Sequence, residues 1–350
     1  MRTELSRDKT VGAGREMITI KDIARESGYS VGTVSRVLNG HKNVSDKART
    51  QIMAVVDKYN FQLNGNAKLL KQRGTRGIAV LLKGTQNMLF NALTELFQRK
   101  LDEVEYECNV FYLNEDDNEV DFAQRICRER KPEGILFLGA NLKFFRSGFA
   151  GINVPCVLVT IDGSELGFEN LSSVTTDDRR AAEHIIDMLV EHGHTKIGVI
   201  GGNPETSTAS KERLFGCRRA FARNGIEFDE FRQYEKSHFG LEGGYSAAGK
   251  LFRKMPDVTA IYSMSDVTAI GAIRAAADRG IRIPEDLSIV GFDGIDLADY
   301  VTPRLTTIRQ NREAIAARSI EILIDMIRGG SAVHEVIPFI LIPGNSIRQI

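Results

Sequence analysis

The chain has 350 residues, enough for two or three domains, and with 42% hydrophobic and 26% charged residues it has the composition of a folded protein, not a disordered one. The net charge of zero conceals an asymmetry: residues 17–76 carry 11 Lys and Arg against 4 Asp and Glu, while residues 77–350 carry 31 against 39. A basic head on an acidic body fits either a head that meets a polyanion or a basic face that is simply solvated. No apolar run reaches the roughly 18 residues of a membrane span, and Met1–Glu16 lacks a hydrophobic signal-peptide core. Cys108, Cys127, Cys156 and Cys217 form no CxxC pair and read as buried free thiols. A cytoplasmic protein with no membrane partner is expected.

In chain order, Met1–Glu16 shows no periodicity. It reads as a disordered tail, or as an extension preceding a true start at Met17. Ile18 to Tyr59 reads as three short helices. Thr19, with Asp22 three residues on, can cap the first, and Ile20, Ile23 and Ala24 supply its inner face. Gly28 breaks that helix, Ser30 can cap the second, and Val34, Val37 and Leu38 point inward. Asn39-Gly40 ends the second helix and Ser45-Asp46 opens the third. In the third, Ala48, Ile52, Val55, Val56 and Tyr59 recur at helical spacing. Asn64–Arg73 is polar and basic, a linker or a marginal helix.

After Gly77 short apolar runs alternate with amphipathic segments. The runs are Ile78–Leu82, Asn109–Leu113, Gly134–Leu138, Cys156–Thr160, Ile197–Ile200, Ala260–Met264 and Leu287–Phe292. Helices are expected near Leu89–Val104, Val120–Glu129, Arg179–His192, Lys211–Asn224, Gly244–Arg253 and Asp266–Arg279. This alternation predicts an α/β fold with parallel sheets, in two comparable halves that divide near Ser173. Two doubly wound lobes with a cleft at the strand C-termini follow.

The strongest constellation is Ile20 to Asn39. Ala24 is small where two helices cross, Gly28 permits a positive φ, and the second helix buries Val34, Val37 and Leu38. Its other face shows Val31, Gly32, Ser35 and Arg36, a small surface with one guanidinium that can enter a major groove. A three-helix protein-binding domain is the plainer reading.

Ile18–Leu38, followed by Asn39-Gly and Val44-Ser45, closely resembles the N-terminus of the LacI family of transcriptional regulators. The resemblance extends through Asn64–Lys71, Gly193-His194, Ser265-Asp266, Ile289–Asp293 and Leu305–Ile308. It implies an α+α/β architecture: a helix-turn-helix headpiece and hinge helix, then a two-lobed periplasmic-binding-protein-like core. The expected divisions are 1–16 as tail, 17–62 as headpiece, 63–76 as hinge and linker, and 77–350 as core. Lobe 1 would take about 77–174 plus 310–328, and lobe 2 about 175–309 plus 331–347. The family implies a dimer on pseudo-palindromic double-stranded operator DNA. A dimer rather than a tetramer is expected, because no leucine heptads follow the apolar run Val336–Ile342.

Residue by residue, the resemblance assigns groove or base contacts to Val31, Gly32, Thr33 and Arg36, of which Arg36 can fork onto guanine. Lys21, Ser30, Ser35 and Asn39 join this DNA-binding set. In the hinge, Asn64 and Ala67 belong to it too, Lys68, Lys71 and Arg73 would neutralise phosphates, and Leu70 would wedge into the minor groove. A contact between Leu70 and the headpiece core is the plainer alternative.

In the core the resemblance points to a small-molecule effector, a sugar or sugar derivative, at Asp162, Arg213, Phe239, Ser265, Asp266 and Asp293. Carboxylates and an arginine fork suit hydroxyl groups, and an aromatic ring can stack on a sugar. Capping or ion pairing is the alternative for each acid. Lys83, Gln86 and Asn87 stand where the family usually has a polar turn and Asn-Pro-aromatic-aromatic. Lys83 there can meet an acidic or phosphorylated effector or be a surface lysine.

Other signals point nowhere. Gly201–Pro204 is no P-loop, because no Gly-Lys-Ser/Thr follows. His184, His192 and His194 have metal-like spacing but read as structural or solvated. No GxSxG or HExxH appears, so no catalytic residue, cofactor or metal is expected. The expectation is a regulator, a repressor of a carbohydrate-use operon. A sugar-binding receptor without a DNA role shares the core fold, and an enzyme would need a nucleophile–base pair.

Overall fold

The computed structural model describes residues 20–38, 44–59, 77–84 and 86–350. It divides into an N-terminal unit, residues 1–74, and a larger unit, residues 75–350.

The small unit holds α1 (Ile20–Ser27), α2 (Val31–Leu38) and α3 (Asp46–Lys58). Ile23, Ala24, Val34, Val37, Ile52 and Val56 bury one apolar cluster, with Leu38 and Val55 packed at its edge. Between α1 and α2, Gly28 takes φ 75°, and the N–H groups of Gly28 and Tyr29 both donate to the Ala24 carbonyl. A β-carbon would be strained there. Ser30 Oγ accepts from the Thr33 N–H at 3.2 Å, the expected cap. Tyr29 donates its phenol to Gln51 Oε1 at 2.6 Å and Lys58 pairs with Glu26 at 2.6 Å, so α3 is tied to the turn and to α1. Tyr59 departs from expectation. It is exposed, because α3 ends at Lys58 and the ring leaves the buried stripe to lie beneath the Lys58 ammonium.

The large unit has two six-stranded sheets. The strands are β1 (Gly77–Lys83), β2 (Glu107–Leu113), β3 (Gly134–Leu138), β4 (Cys156–Val159), β5 (Leu171–Thr175), β6 (Ile197–Gly201), β7 (Tyr234–Lys236), β8 (Ala260–Ser263), β9 (Ser288–Asp293), β10 (Thr306–Arg309), β11 (His334–Val336) and β12 (Ile340–Ile342). The first sheet runs β11-β5-β4-β3-β1-β2 and the second β12-β10-β9-β8-β6-β7. Every pairing is parallel except that of β12 with β10. The inner strands β3, β4, β5, β6, β8 and β9 are buried end to end, as parallel strands covered on both faces must be.

The covering helices are α4 (Met88–Glu103), α5 (Glu119–Glu129), α6 (Leu142–Gly148), α7 (Asp178–Glu191), α8 (Thr208–Arg223), the short α9 (Glu230–Gln233), α10 (Leu241–Lys254), α11 (Asp266–Ala277) and α12 (Arg312–Ile327). Helix α12, although late in the chain, returns to cover β3, β4 and β5 beside α4. Leu323 and Ile327 lie on Gly134, where a β-carbon would collide with them. One boundary needs correction. The stretch 331–347 was expected in lobe 2, but β11 pairs with β5 in the first sheet, and only β12 pairs with β10 in the second. The apolar run Val336–Ile342 is therefore cut in two at the third crossing between lobes.

Candidate functional site

Two surfaces are built for function, one in each unit. In the small unit α2 presents Val31, Gly32 and Arg36 to solvent, while Val34 and Val37 hold its other face to the core. The Arg36 guanidinium folds back on its own helix, Nε donating to the Gly32 carbonyl at 3.2 Å. Ser30 and Thr33 share a hydroxyl bond of 2.9 Å. Asn39, Asn64, Ala67, Lys68, Leu70, Lys71 and Arg73 lie outside the described residues, as do the side chains of Lys21 and Ser35.

In the large unit a cleft of about 970 Å³ opens where strand C-termini and helix N-termini of the two lobes face each other. Its floor is Arg213, in the second turn of α8. Arg213 is buried, donates from Nε to Asp178 Oδ1 at 2.8 Å and from Nη1 to the Met264 carbonyl, and holds Nη2 4.0 Å from Asp293 Oδ1. Its guanidinium carbon lies 3.6 Å from the centre of the Phe292 ring. Asp293 closes β9 at φ 109° and accepts from Gln310 Nε2 at 2.9 Å.

Burial pushes the Asp293 carboxyl up to about 6, against the pull of Arg213 and Gln310. Burial likewise raises Asp178, again opposed by Arg213. For Arg213, burial lowers the pKa, but Asp178 and Asp293 more than offset it, so the cation is held. The expected meeting of Arg213 and Asp293, 80 positions apart, is thus observed. Two partners were not foreseen: Asp178, which in sequence looks like an ordinary acid at a helix start, and Gln310, which follows a strand with no apolar run.

The other predicted residues fall differently. Phe239 lines the cleft opposite Gly202 and Ser210. Gln86 lines it while packing on Gly240. Asn87 lines it too, but its Oδ1 caps α4 by accepting from the Leu89 and Phe90 N–H groups. Lys83 is neither free for an anion nor on the surface. Its ammonium pairs at 2.7 Å with Glu119, both side chains being buried, and faces the Phe144 ring.

Three acids or hydroxyls do not line the cleft. Asp266 is fully buried; Oδ1 accepts from Thr307 Oγ1 at 2.6 Å and Oδ2 from the Ile295 N–H at 2.8 Å, bracing the turn after β9. Ser265 is buried beside it, its hydroxyl serving Asp293. Asp162 lines a second depression of about 600 Å³ and accepts from the Ser164 N–H at 2.9 Å. For the two acids the alternative in sequence was a helix cap or an ion pair; the structure gives Asp266 a threonine hydroxyl and a turn N–H, and Asp162 the N–H two residues on. The histidines follow suit: His192 bonds the Met188 carbonyl, and His194 bonds Thr259 and the Arg348 carbonyl. Among the described residues no His, Cys, Asp and Glu cluster could hold a metal ion, and no helix is long and apolar enough to cross a membrane.

Among the lining residues, Lys83, Arg213, Lys236 and Lys250 stand against Glu115, Asp116, Glu242 and Asp293, with His238 at the rim; Lys83 and Arg213 are also paired with Glu119 and Asp178 behind the wall, so the cleft holds no surplus of cations. A buried fork-and-carboxylate floor, an aromatic wall and no surplus of cations suit a neutral ligand rich in hydroxyl groups.

A helix-turn-helix head and a two-lobed binding core in one chain define a DNA-binding transcriptional regulator. The sequence model for bacterial regulatory proteins of the lacI family matches residues 19–64, and that for a periplasmic binding protein-like domain matches residues 186–347. The HTH-type transcriptional regulator MalR of Clostridium butyricum is 34% identical over 316 residues, which cover 89% of this chain and 93% of that one. The ribose operon repressor of Haemophilus influenzae is 31% identical over 312 residues, 89% of this chain and 92% of that one. Among solved structures, the Lac repressor dimer bound to operator and the anti-inducer ONPF matches with a TM-score of 0.68 at 22% identity, covering 95% of this chain and 100% of that one. The CelR–cellobiose complex matches with a TM-score of 0.68 at 24% identity, covering 94% and 99%. This chain belongs to the lacI family of bacterial regulatory proteins. Its function is regulation and not catalysis.

Proposed function

We propose that the protein represses a carbohydrate-use operon as a homodimer on a pseudo-palindromic operator, and that a neutral sugar or sugar derivative in the cleft sets its operator affinity. The observation that carries this reading is the buried Arg213–Asp178–Asp293–Gln310 floor beneath a cleft with no surplus of cations. Spare hydrogen-bonding capacity on the guanidinium and on Asp293 can take ligand hydroxyls, with Phe239 against the ring. The name of one relative, a ribose operon repressor, supports a sugar. On the DNA side, Arg36 reads a base in each half-site. Lys21, Ser30, Val31, Gly32, Thr33, Ser35 and Asn39 fit the groove, and Leu70 with Asn64, Ala67, Lys68 and Lys71 engages the operator centre.

The test is a thermal-shift screen of the whole chain against neutral mono- and disaccharides and their phosphates. Operator binding, by anisotropy on a duplex selected from random sequence, is then measured with each hit. A neutral sugar should raise the melting temperature and change operator affinity. Stabilisation by phosphorylated sugars alone would reject the neutral-effector reading.

A further inference from the structure

The loop that carries Phe239 belongs to lobe 2, yet it is held from lobe 1. After β2 the chain turns through Asn114–Asp117, where Asp117 Oδ2 accepts from both the N–H and the side-chain amide of Asn114 at 2.8 and 3.2 Å. That turn projects Glu115 across the cleft. Its Oε1 accepts from the Phe239 N–H at 3.3 Å, and its Oε2 lies 2.8 Å from His238 Nδ1. Room for the Glu115 stem comes from Gly84, at φ 92°, whose added β-carbon would stand 3.3 Å from Glu115 Cγ. On the far side the 237–240 loop has its own short bonds, Ser237 N–H to the Gly201 carbonyl at 2.7 Å and Gly240 N–H to the His238 carbonyl at 2.8 Å. The Phe239 N–H has its partner in the opposite lobe.

We propose that Glu115 is a positioning residue, a clasp from lobe 1 that grips the 237–240 loop of lobe 2 and so sets Phe239 against the cleft. One carboxylate holds a backbone N–H and a side chain of the opposite lobe together, so the loop cannot swing away with lobe 2 without breaking both bonds. The opposite rim has a separate tie, Lys143 to Glu205 at 3.0 Å. That tie is exposed on both sides and touches no residue of the Phe239 loop.

The clasp has a built-in dependence on pH. The hydrogen bond to Glu115, then the charges of Glu115 and Asp116, raise the His238 imidazole above its ordinary value. The pair is ionic below that raised value and loses its charge as pH rises through it. The other charged groups on this rim are Lys236, on the strand before the loop, and Glu242, at the start of α10. Because His238 is 82% exposed and Glu115 34%, solvent screens the pair, and an effect of about two- to fivefold is expected. This inference concerns how the lobes hold one loop and stands whether or not the effector is a sugar.

The experiment is hydrogen exchange of the Phe239 amide, at single-residue resolution, in the full chain without ligand. Rates are divided by the unprotected rate at each pH, from about pH 6 to about pH 8. In the wild type, protection at Phe239 should fall about two- to fivefold across that range. Glu115→Gln, which keeps an acceptor and loses the charge, should retain part of the protection and no slope. Glu115→Ala should lose protection at Phe239 while the Ser237 amide, bonded within lobe 2, keeps its own. His238→Gln should abolish the slope. Unchanged Phe239 protection in Glu115→Ala, or a slope that survives in His238→Gln, overturns the clasp. Loss of protection at Ser237 as well would mean that Glu115 supports the whole lobe, which also overturns it.

Discussion

Replacing Arg213 by alanine removes the cation that faces two buried carboxylates, Asp178 at 2.8 Å and Asp293 at 4.0 Å. At an effective dielectric constant of about 20, those separations correspond to roughly 6 and 4 kcal/mol of attraction. The full sum cannot be lost, because an orphaned carboxyl can escape by taking a proton. From an ordinary value near 3.9, that escape costs about 4 kcal/mol per group at pH 7 and about 1.5 kcal/mol at pH 5. Protonation thus sets the ceiling, and the usual cost of breaking a buried pair, about 3–5 kcal/mol, lies beneath it at neutral pH. Arg213→Ala should therefore destabilise the core by about 3–5 kcal/mol at pH 7 and by less than about 3 kcal/mol at pH 5. Urea unfolding followed by circular dichroism at both pH values measures this, with operator binding checked at a temperature where the variant is folded. The folded variant should bind operator and ignore the effector. A loss below about 1 kcal/mol at pH 7, or one equal at both pH values, would refute the electrostatic account of this floor.

Asp293 gives a prediction with a definite sign. Its folded-state pKa, raised by burial to about 6, exceeds the unfolded value, so the folded core binds the proton more tightly. Its contribution to stability should rise as pH falls from about 6 towards about 4, and Asp293→Asn should flatten the melting temperature over that window; a variant with the wild-type slope removes Asp293 from the titration. In the headpiece, Arg36→Ala should cost about 1–3 kcal/mol of specific DNA affinity and blur preference at one base position per half-site. Anisotropy on operator variants decides this, because equal losses on specific and random duplex would make Arg36 a phosphate contact.

The strands legible in the sequence were those whose apolar runs hold at most one polar residue, and each of the seven runs overlaps an observed strand. Strand β5 escaped notice although all five of its residues are buried, because Ser172, Ser173 and Thr175 break the apolar signal. Their hydroxyls are absorbed locally, Ser172 Oγ by the Val333 N–H and Ser173 Oγ by His334, contacts made by chain 161 positions away. Strands β7, β11 and β12 have three residues each, too short for a period to register. The site was legible where a charged residue ends a strand or enters a helix beside one, as with Asp293 and Arg213. That rule cannot separate an acid facing the cleft from one turned into the core. Asp266 is drawn inward by Thr307 and the turn after β9, which only the folded register of β9 and β10 brings near. Glu115 gave no sequence signal, because its partners belong to the other lobe.

The stitching of both sheets by the last strands has a consequence for synthesis. Strands β1 to β5 have all been made by Thr175, but the helix that covers their face, α12, and their edge strand, β11, come from residues 312–336. At about 5–20 residues per second, the ribosome takes roughly 10–30 s to travel from one to the other. Throughout that interval the first sheet has a half-covered apolar face in the nascent chain, with α4 in place and α12 still to come, while the headpiece, built from local contacts, can already fold. Neither lobe is a continuous stretch of sequence, so a transcript cut after the second lobe's early strands would yield a DNA-reading head on a sticky, half-clad sheet. Both sheets are complete only once the chain has been made through β12, at Ile342, and chaperones that shield bare sheets have the most to do just before that point.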